Sequence, residues 1–373
     1  MGLFKQRIEK SQGKKGFFIF IFCALVLLVI SFFSSASEVI AQDLYFPEPD
    51  PPRVDTGVRN LDQSAFIIRG TASKSRLASD SASIIEWTYH KTKDSQHPNG
   101  EEQQMVWLMN RARSNPTEEG RWLATTKMAG IANYRRYFGV DLDQLRTEFK
   151  SYSPKPPAAF DVRLYKAANF HSQALIRQDS QNYNGQVEAI DDNNFSMTIT
   201  RGNVFAYANS GLQTHAAFNI DWGNGDGSGM QTGRSHRQAV MSLDGNFTNV
   251  GIAVVKASNQ ATQVGPLVIA ANYCNANTYE EKHYNNFIVG TVWIDLNGNQ
   301  FYDPDEGLAN VMVTPDKGTY YAVTAAGGGY AIPVKSDGTY TVTFSGAQFD
   351  SRQVRTIQVS DRSVLLDLEL KQP

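Results

Sequence analysis

The hydrophobic period of this chain changes along its length, and that change limits the folds open to it. In "EEQQMVWLMNRARSN", Met105, Leu108, Met109 and Ala112 recur at helical spacing. "NPTEE" then predicts a new helix, with Asn115 as N-cap, Pro116 at the first position and Glu118 in the capping box. "FDVRLYKAANFHSQALIRQD" predicts a longer one, capped by Asp161, with Leu164, Ala167, Ala168, His171, Ala174 and Leu175 on one face. "NVGIAVVK" and "GPLVIAANYC" read as strands joined by a polar hairpin. Residues 101–285 are therefore expected to form an α+β domain, helices early and a small antiparallel sheet late. From about Phe287 short runs such as "FIVGTVWIDL", "GGYAIPV" and "GTYTVTF" recur about every ten residues between Gly, Asp and Ser turns. Residues 286–373 are expected to be a small all-β sandwich.

The N-terminus reads as an export signal. A basic stretch precedes "FFIFIFCALVLLVISFF", seventeen residues without a charge, and "SSASEVIAQ" supplies a small-residue cleavage step ending at Ala41. The other reading is an uncleaved signal anchor, since about 18 apolar residues can span a bilayer. Residues 1–41 are thus the signal or anchor, and membrane contact is expected only through them. Residues 42–100, rich in Pro, Ser and Asp, read as a linker or arm. Loss of residues 1–41 removes five basic and two acidic residues, leaving 30 basic against 35 acidic, a net charge of −5. That balance argues against nucleic acid as a partner. Cys23 lies in the apolar run, so Cys274 has no intramolecular partner in the mature chain. Export without disulfides points to a bacterial envelope or secreted protein.

Two histidines stand in unusual settings. His171 lies on the apolar face of its helix, where it is either a satisfied core residue or a ligand. His236 follows a glycine-bearing loop at a helix start, where the dipole disfavours imidazolium; it is a neutral, ligand-competent ring or a surface loop residue. His215 reads as an ordinary helix-face residue, and His90, His97 and His283 fall in linkers.

Taken in order, "LMNRARSNP", "FDVRLYKAANFHSQALIRQD", "GNVFAYANSG", "GRSHRQAVMS", "NFTNVGIAVV" and "LVIAANYC" resemble the CAP superfamily (cysteine-rich secretory proteins, antigens and pathogenesis-related proteins), especially its bacterial members. The resemblance spans residues 101–285 and implies an α-β-α sandwich. It also implies a cavity in which His171 and His236 match the family's two histidines, and Asp221 the acid ahead of "GHR", with Asp226 as a weaker match. Some members bind a divalent metal there, so Zn2+ or another divalent ion is an implied cofactor. Two departures stand out: Ser235 replaces the glycine of "GHR", and Gly202 stands where the "GEN" motif has glutamate, only Asn203 being kept. The lost carboxylate weakens a catalytic reading more than a binding one.

"WIDLNGNQFYDPDEGL" carries a second pattern. Counting Asp295 as one, oxygen ligands fall at Asn297, Asn299, Asp303 and Glu306, with the Phe301 carbonyl at seven, the spacing of a twelve-residue calcium loop. Glycine falls at four rather than six and strands flank the loop, so it is not an EF-hand. A bland alternative is an Asp/Asn-rich turn. "GTVWIDLNGNQFYDPDEGLANVMVTP" with "TAAGGGYAIPV" resembles the B-type repeat domains of bacterial surface adhesins, which implies structural Ca2+.

The function expected is an extracellular binding or interaction module, its ligand a lipid, peptide or surface component, and more a binder than an enzyme. The alternative is a metal-dependent hydrolase working from His171 and His236, with Asp221 as base. A purely structural envelope protein is a third reading. No residue is singled out as a catalyst.

Overall fold

Asn99 starts the helical part by accepting from the Glu102 N–H, while the Glu102 carboxylate takes the Asn99 N–H in return. Helix α1 (Gly100–Ser114) follows. The computed structural model describes residues 85–258, 262–347 and 349–370; the apolar run and residues 42–84 of the expected arm lie outside them. As predicted, Asn115 caps helix α2 (Pro116–Thr125) through the Glu118 N–H. Helices α3 (Ala129–Phe138) and α4 (Leu142–Lys150) come next. Helix α5 (Val162–Gln178) is capped by Asp161, and Leu164, Ala167, Ala168, His171 and Leu175 are buried along it.

One sheet holds strands β2 (Ala159–Phe160), β3 (Met197–Ala208), β4 (Asn249–Lys256) and β5 (Leu267–Ala276), in the order β2-β4-β5-β3. The antiparallel β4–β5 pair matches the expectation, with Ile252 opposite Ala271. Helix α5 rests on β4 so closely that a Cβ on Gly251 would lie 2.1 Å from the Leu164 backbone, so glycine alone fits. Three short helices, α6 (Glu188–Asp192), α7 (Gly211–Ile220) and α8 (Ser235–Val240), complete this part.

After residue 286 the described elements are all strands: β6 (Phe287–Ile294), β7 (Met312–Pro315), β8 (Tyr320–Val323), β9 (Gly329–Pro333), β10 (Gly338–Ser345), β11 (Gln353–Val359), β12 (Val364–Leu365) and β13 (Leu368–Leu370). They form two sheets, one ordered β8-β7-β10-β11 and one built around β6 with β9, β12 and β13. Side chains from both sheets, including Val292, Ile332, Val342 and Ile357, share one apolar core. The fold as a whole is α+β.

The end of the expected arm is instead built into the structure. Strand β1 (Ile85–Glu86) adds to β8 in parallel, and Trp87 is buried against Tyr89, Tyr284 and Tyr320. A few aromatic anchors supply enough buried area to order a segment whose composition is otherwise polar. His90, expected in a linker, is 1% exposed and bonds the Val323 carbonyl at 2.9 Å.

Polar residues of α1 join the helical part to the strands. Gln103 Nε2 donates to Thr291 Oγ1 at 2.8 Å and Gln104 Nε2 to the Tyr302 carbonyl at 3.0 Å; both side chains are buried. Among the described residues no helix is long and apolar enough to cross a membrane.

Candidate functional site

Helix α7 ends at Asp221, which takes the left-handed conformation (φ 56°) and carries its buried carboxylate back over the chain. The turn into α8 uses Gly233 (φ 79°) and Arg234 (φ 51°), and α8 has no side-chain cap from its own N-terminal residue. Asp221 supplies one from a distance. Its Oδ2 accepts the His236 backbone N–H at 3.0 Å, and its Oδ1 accepts from His236 Nδ1 at 2.7 Å. One carboxylate therefore caps the helix and selects the ring tautomer, leaving Nε2 as an acceptor.

The rest of the frame is equally polar. The ring of His236 stacks on Phe218 at 5.8 Å with planes 10° apart, and Asn203 Nδ2 donates to the His236 carbonyl at 3.0 Å. Arg237 ties α8 to the end of α7 through the Asn219 and Ile220 carbonyls and pairs with Glu148. Asp226, the weaker acid candidate, pairs instead with Arg234 at 2.9 Å.

Tyr183 completes the site: its phenol lies 2.8 Å from His236 Nε2 and donates to it. Burial and the Asp221 charge raise the phenol pKa, against a backbone hydrogen bond from Val204 that lowers it. Tyr183 is 48% exposed, so the chain Asp221–His236–Tyr183 runs from a buried carboxylate to solvent.

His171 does not share this chain. Its Nε2 donates to the Asn182 carbonyl at 3.0 Å, and burial lowers its pKa, so it is neutral. The two histidines are joined only through successive loop residues, Asn182 serving one and Tyr183 the other. Among the described residues no group of three His, Cys, Asp or Glu side chains is placed to hold a metal ion. A zinc ion at His236 would have to displace the Tyr183 phenol.

The space beside Gly202 is filled from elsewhere. A Cβ on Gly202 would lie 2.7 Å from the Gln186 amide, which donates to Asn272 Oδ1 at 2.9 Å and is buried. Gln181 of the same loop accepts from the Ala206 N–H at 2.8 Å. Sequence reasoning missed Gln181, Tyr183 and Gln186 because "QDSQNYNGQ" has no period; the signal available was a polar loop placed directly after the His171 helix. His215 also differs from expectation, being buried in a 2.9 Å pair with Glu119, itself bonded to Arg111.

In the Asp295–Glu306 loop the expected oxygens cluster, but they bond to N–H groups. Asp295 accepts from the Gly298, Asn299 and Gln300 backbones at 2.8–3.1 Å. Asn297 and Asn299 both turn their amide NH2 to Asp303 Oδ2, at 2.7 and 2.8 Å. Glu306, 1% exposed, accepts from the Leu296 and Asp303 N–H groups. Burial raises its pKa, those two bonds oppose the rise, and the Asp303 and Asp295 charges add to it. The Phe301 ring is buried 5.1 Å from Trp107 and 5.7 Å from Trp122, with the Arg111 guanidinium 4.5 Å over it. The loop is thereby anchored to α1.

No family model and no curated protein matches this sequence.

Proposed function

We propose that this is an exported bacterial CAP-type protein acting as an extracellular binding module. Its ligand is a lipid, peptide or surface component taken at the His236–Tyr183 pair. On this reading residues 101–285 are the α-β-α sandwich of that family, and the C-terminal strands are a β-sandwich spacer or adhesive element. The observation that carries the binding reading is the orientation of His236 by a buried carboxylate, with its remaining nitrogen presented beside a half-exposed phenol. A ligand that takes over the bond between ring and phenol would find an acceptor in Nε2 and a donor in the phenol, without open metal coordination. Thermal melting with phospholipids, peptides and cell-wall fragments tests it. A ligand at about 100 times its Kd adds about 2.7 kcal/mol of stability, and that shift is expected to vanish in His236→Ala. Equal shifts in both proteins would reject this pair as the binding site.

Calcium belongs to the same proposal. Asp295, Asp303 and Glu306, with Asn297, Asn299 and the Phe301 carbonyl, are the hard oxygen donors that Ca2+ takes. On this reading a cation would take the place of the two asparagine NH2 groups that now meet Asp303 Oδ2. Saturating Ca2+ at about 100 times its Kd should add about 2.7 kcal/mol, read as a raised Tm against chelator. An unchanged difference in Asp295→Ala would contradict the calcium role.

A further inference from the structure

We propose that Tyr183 is a base-activated nucleophile that accepts acyl groups from activated esters, with His236 as its general base and Asp221 as a positioning residue. The inference uses the site assigned to ligand binding but concerns covalent chemistry, which binding does not require.

The geometry has the parts a hydroxyl nucleophile needs. The phenol donates to His236 Nε2 at 2.8 Å, within proton-transfer reach. Asp221 holds the opposite ring nitrogen at 2.7 Å, which fixes the tautomer and stabilises the imidazolium that forms. Asp221 itself is held by the His236 backbone N–H, so carboxylate and ring move as one unit. The nucleophile end is 48% exposed, whereas Asp221 is 1% exposed.

Burial and the Asp221 charge both disfavour free phenolate, so reaction through a preformed anion is suppressed. The proton must leave during attack. Tyr183 Oη bonds to the acyl carbon as its proton passes to His236 Nε2. The tetrahedral adduct then collapses, the ester C–O bond breaks, and the imidazolium returns the proton to the leaving oxygen. The products are an acylated tyrosine and an alcohol; no oxidant, reductant or metal is needed.

The comparison residue lies in the same molecule. Tyr279 is 98% exposed and lies outside the Asp221–His236–Tyr183 hydrogen-bond series, so it reports the reactivity of an ordinary accessible phenol. The test treats the full chain with p-nitrophenyl acetate and maps acetylated peptides by mass spectrometry over time. General-base assistance supplies about 10²-fold or more. Tyr183 is therefore expected to be acetylated about 10²-fold faster than Tyr279, with a slower rate in deuterated solvent. Tyr183→Phe, which removes one hydroxyl, should abolish the fast phase, and His236→Gln should reduce Tyr183 to the Tyr279 rate. Tyr183 acetylated no faster than Tyr279 in the unmodified protein would overturn the proposal, as would a fast phase that survives in Tyr183→Phe. Neither outcome touches the binding reading, which is tested separately by non-covalent melting shifts.

Discussion

Replacing Arg113 by alanine is expected to destabilise the protein by about 4 kcal/mol or more, measured as a shift in urea midpoint at constant slope. Arg113 lies on α1 with 0% exposure, and no carboxylate neutralises it in the contacts it makes. Its guanidinium donates to the Val240, Phe247 and Ala239 carbonyls at 2.6, 2.7 and 3.4 Å. Two of these are last-turn carbonyls of α8, the negative end of a helix, so the cation is stabilised by aligned backbone dipoles. Burial pushes its pKa down to about 10, still far above neutrality, so the charge persists. Alanine would strand three buried acceptors and leave a cavity in the core. Lysine keeps the charge but has no fork to reach three carbonyls, and should recover only part of the loss. Since α8 carries His236, Arg113→Ala should also weaken any ligand-induced melting shift. A loss below about 1 kcal/mol would contradict this account of a typical buried charge.

Acid should remove about 3 kcal/mol of stability through His90 alone. Burial pushes this histidine down to about 4 from its ordinary 6.5, against the Val323 carbonyl bond that opposes the drop. Its Nδ1 is buried with no hydrogen-bond partner. The unfolded chain takes up a proton near pH 6.5 while the folded protein resists until about 4. The stabilisation is therefore fully present above pH 6.5 and is lost as pH falls towards 4. His97 behaves in the opposite sense. The Glu102 carboxylate at 2.7 Å raises its pKa, outweighing burial, so its contribution is present below pH 6.5 and fades as pH rises through the raised value. Subtracting the pH profile of His90→Gln from that of the unmodified protein isolates the first effect. Parallel profiles between pH 7 and 4 would show that His90 is not buried as the neutral form.

Much of the helical part was legible in the chain because it rests on local chemistry. Asn115 and Asp161 cap helices through side chains only two or three residues from the N–H groups they satisfy. The buried face of α5 follows from the 3.6-residue period, and the β4–β5 pairing from two apolar runs joined by a polar hairpin. The linker reading failed at Ile85–Asn99 because Trp87 packs on Tyr320 and His90 bonds Val323, both on strand β8 and more than 230 positions away.

The candidate site divides along the same line. His236 at a helix start and the Asp295–Glu306 oxygen spacing are sequence-local, whereas Asp221 became a candidate only through the family resemblance. The partner of His236 is not local. Tyr183 arrives from 53 positions upstream and Gln186 from a loop without periodic signal, while His171 is turned to the Asn182 carbonyl. Residue type and spacing determine which groups are available and which nearby backbone they can satisfy. Only the packing of α5, the sheet and α8 decides which of those groups meet, because contacts across long loops depend on the shape of the whole core and leave no periodic mark in the chain.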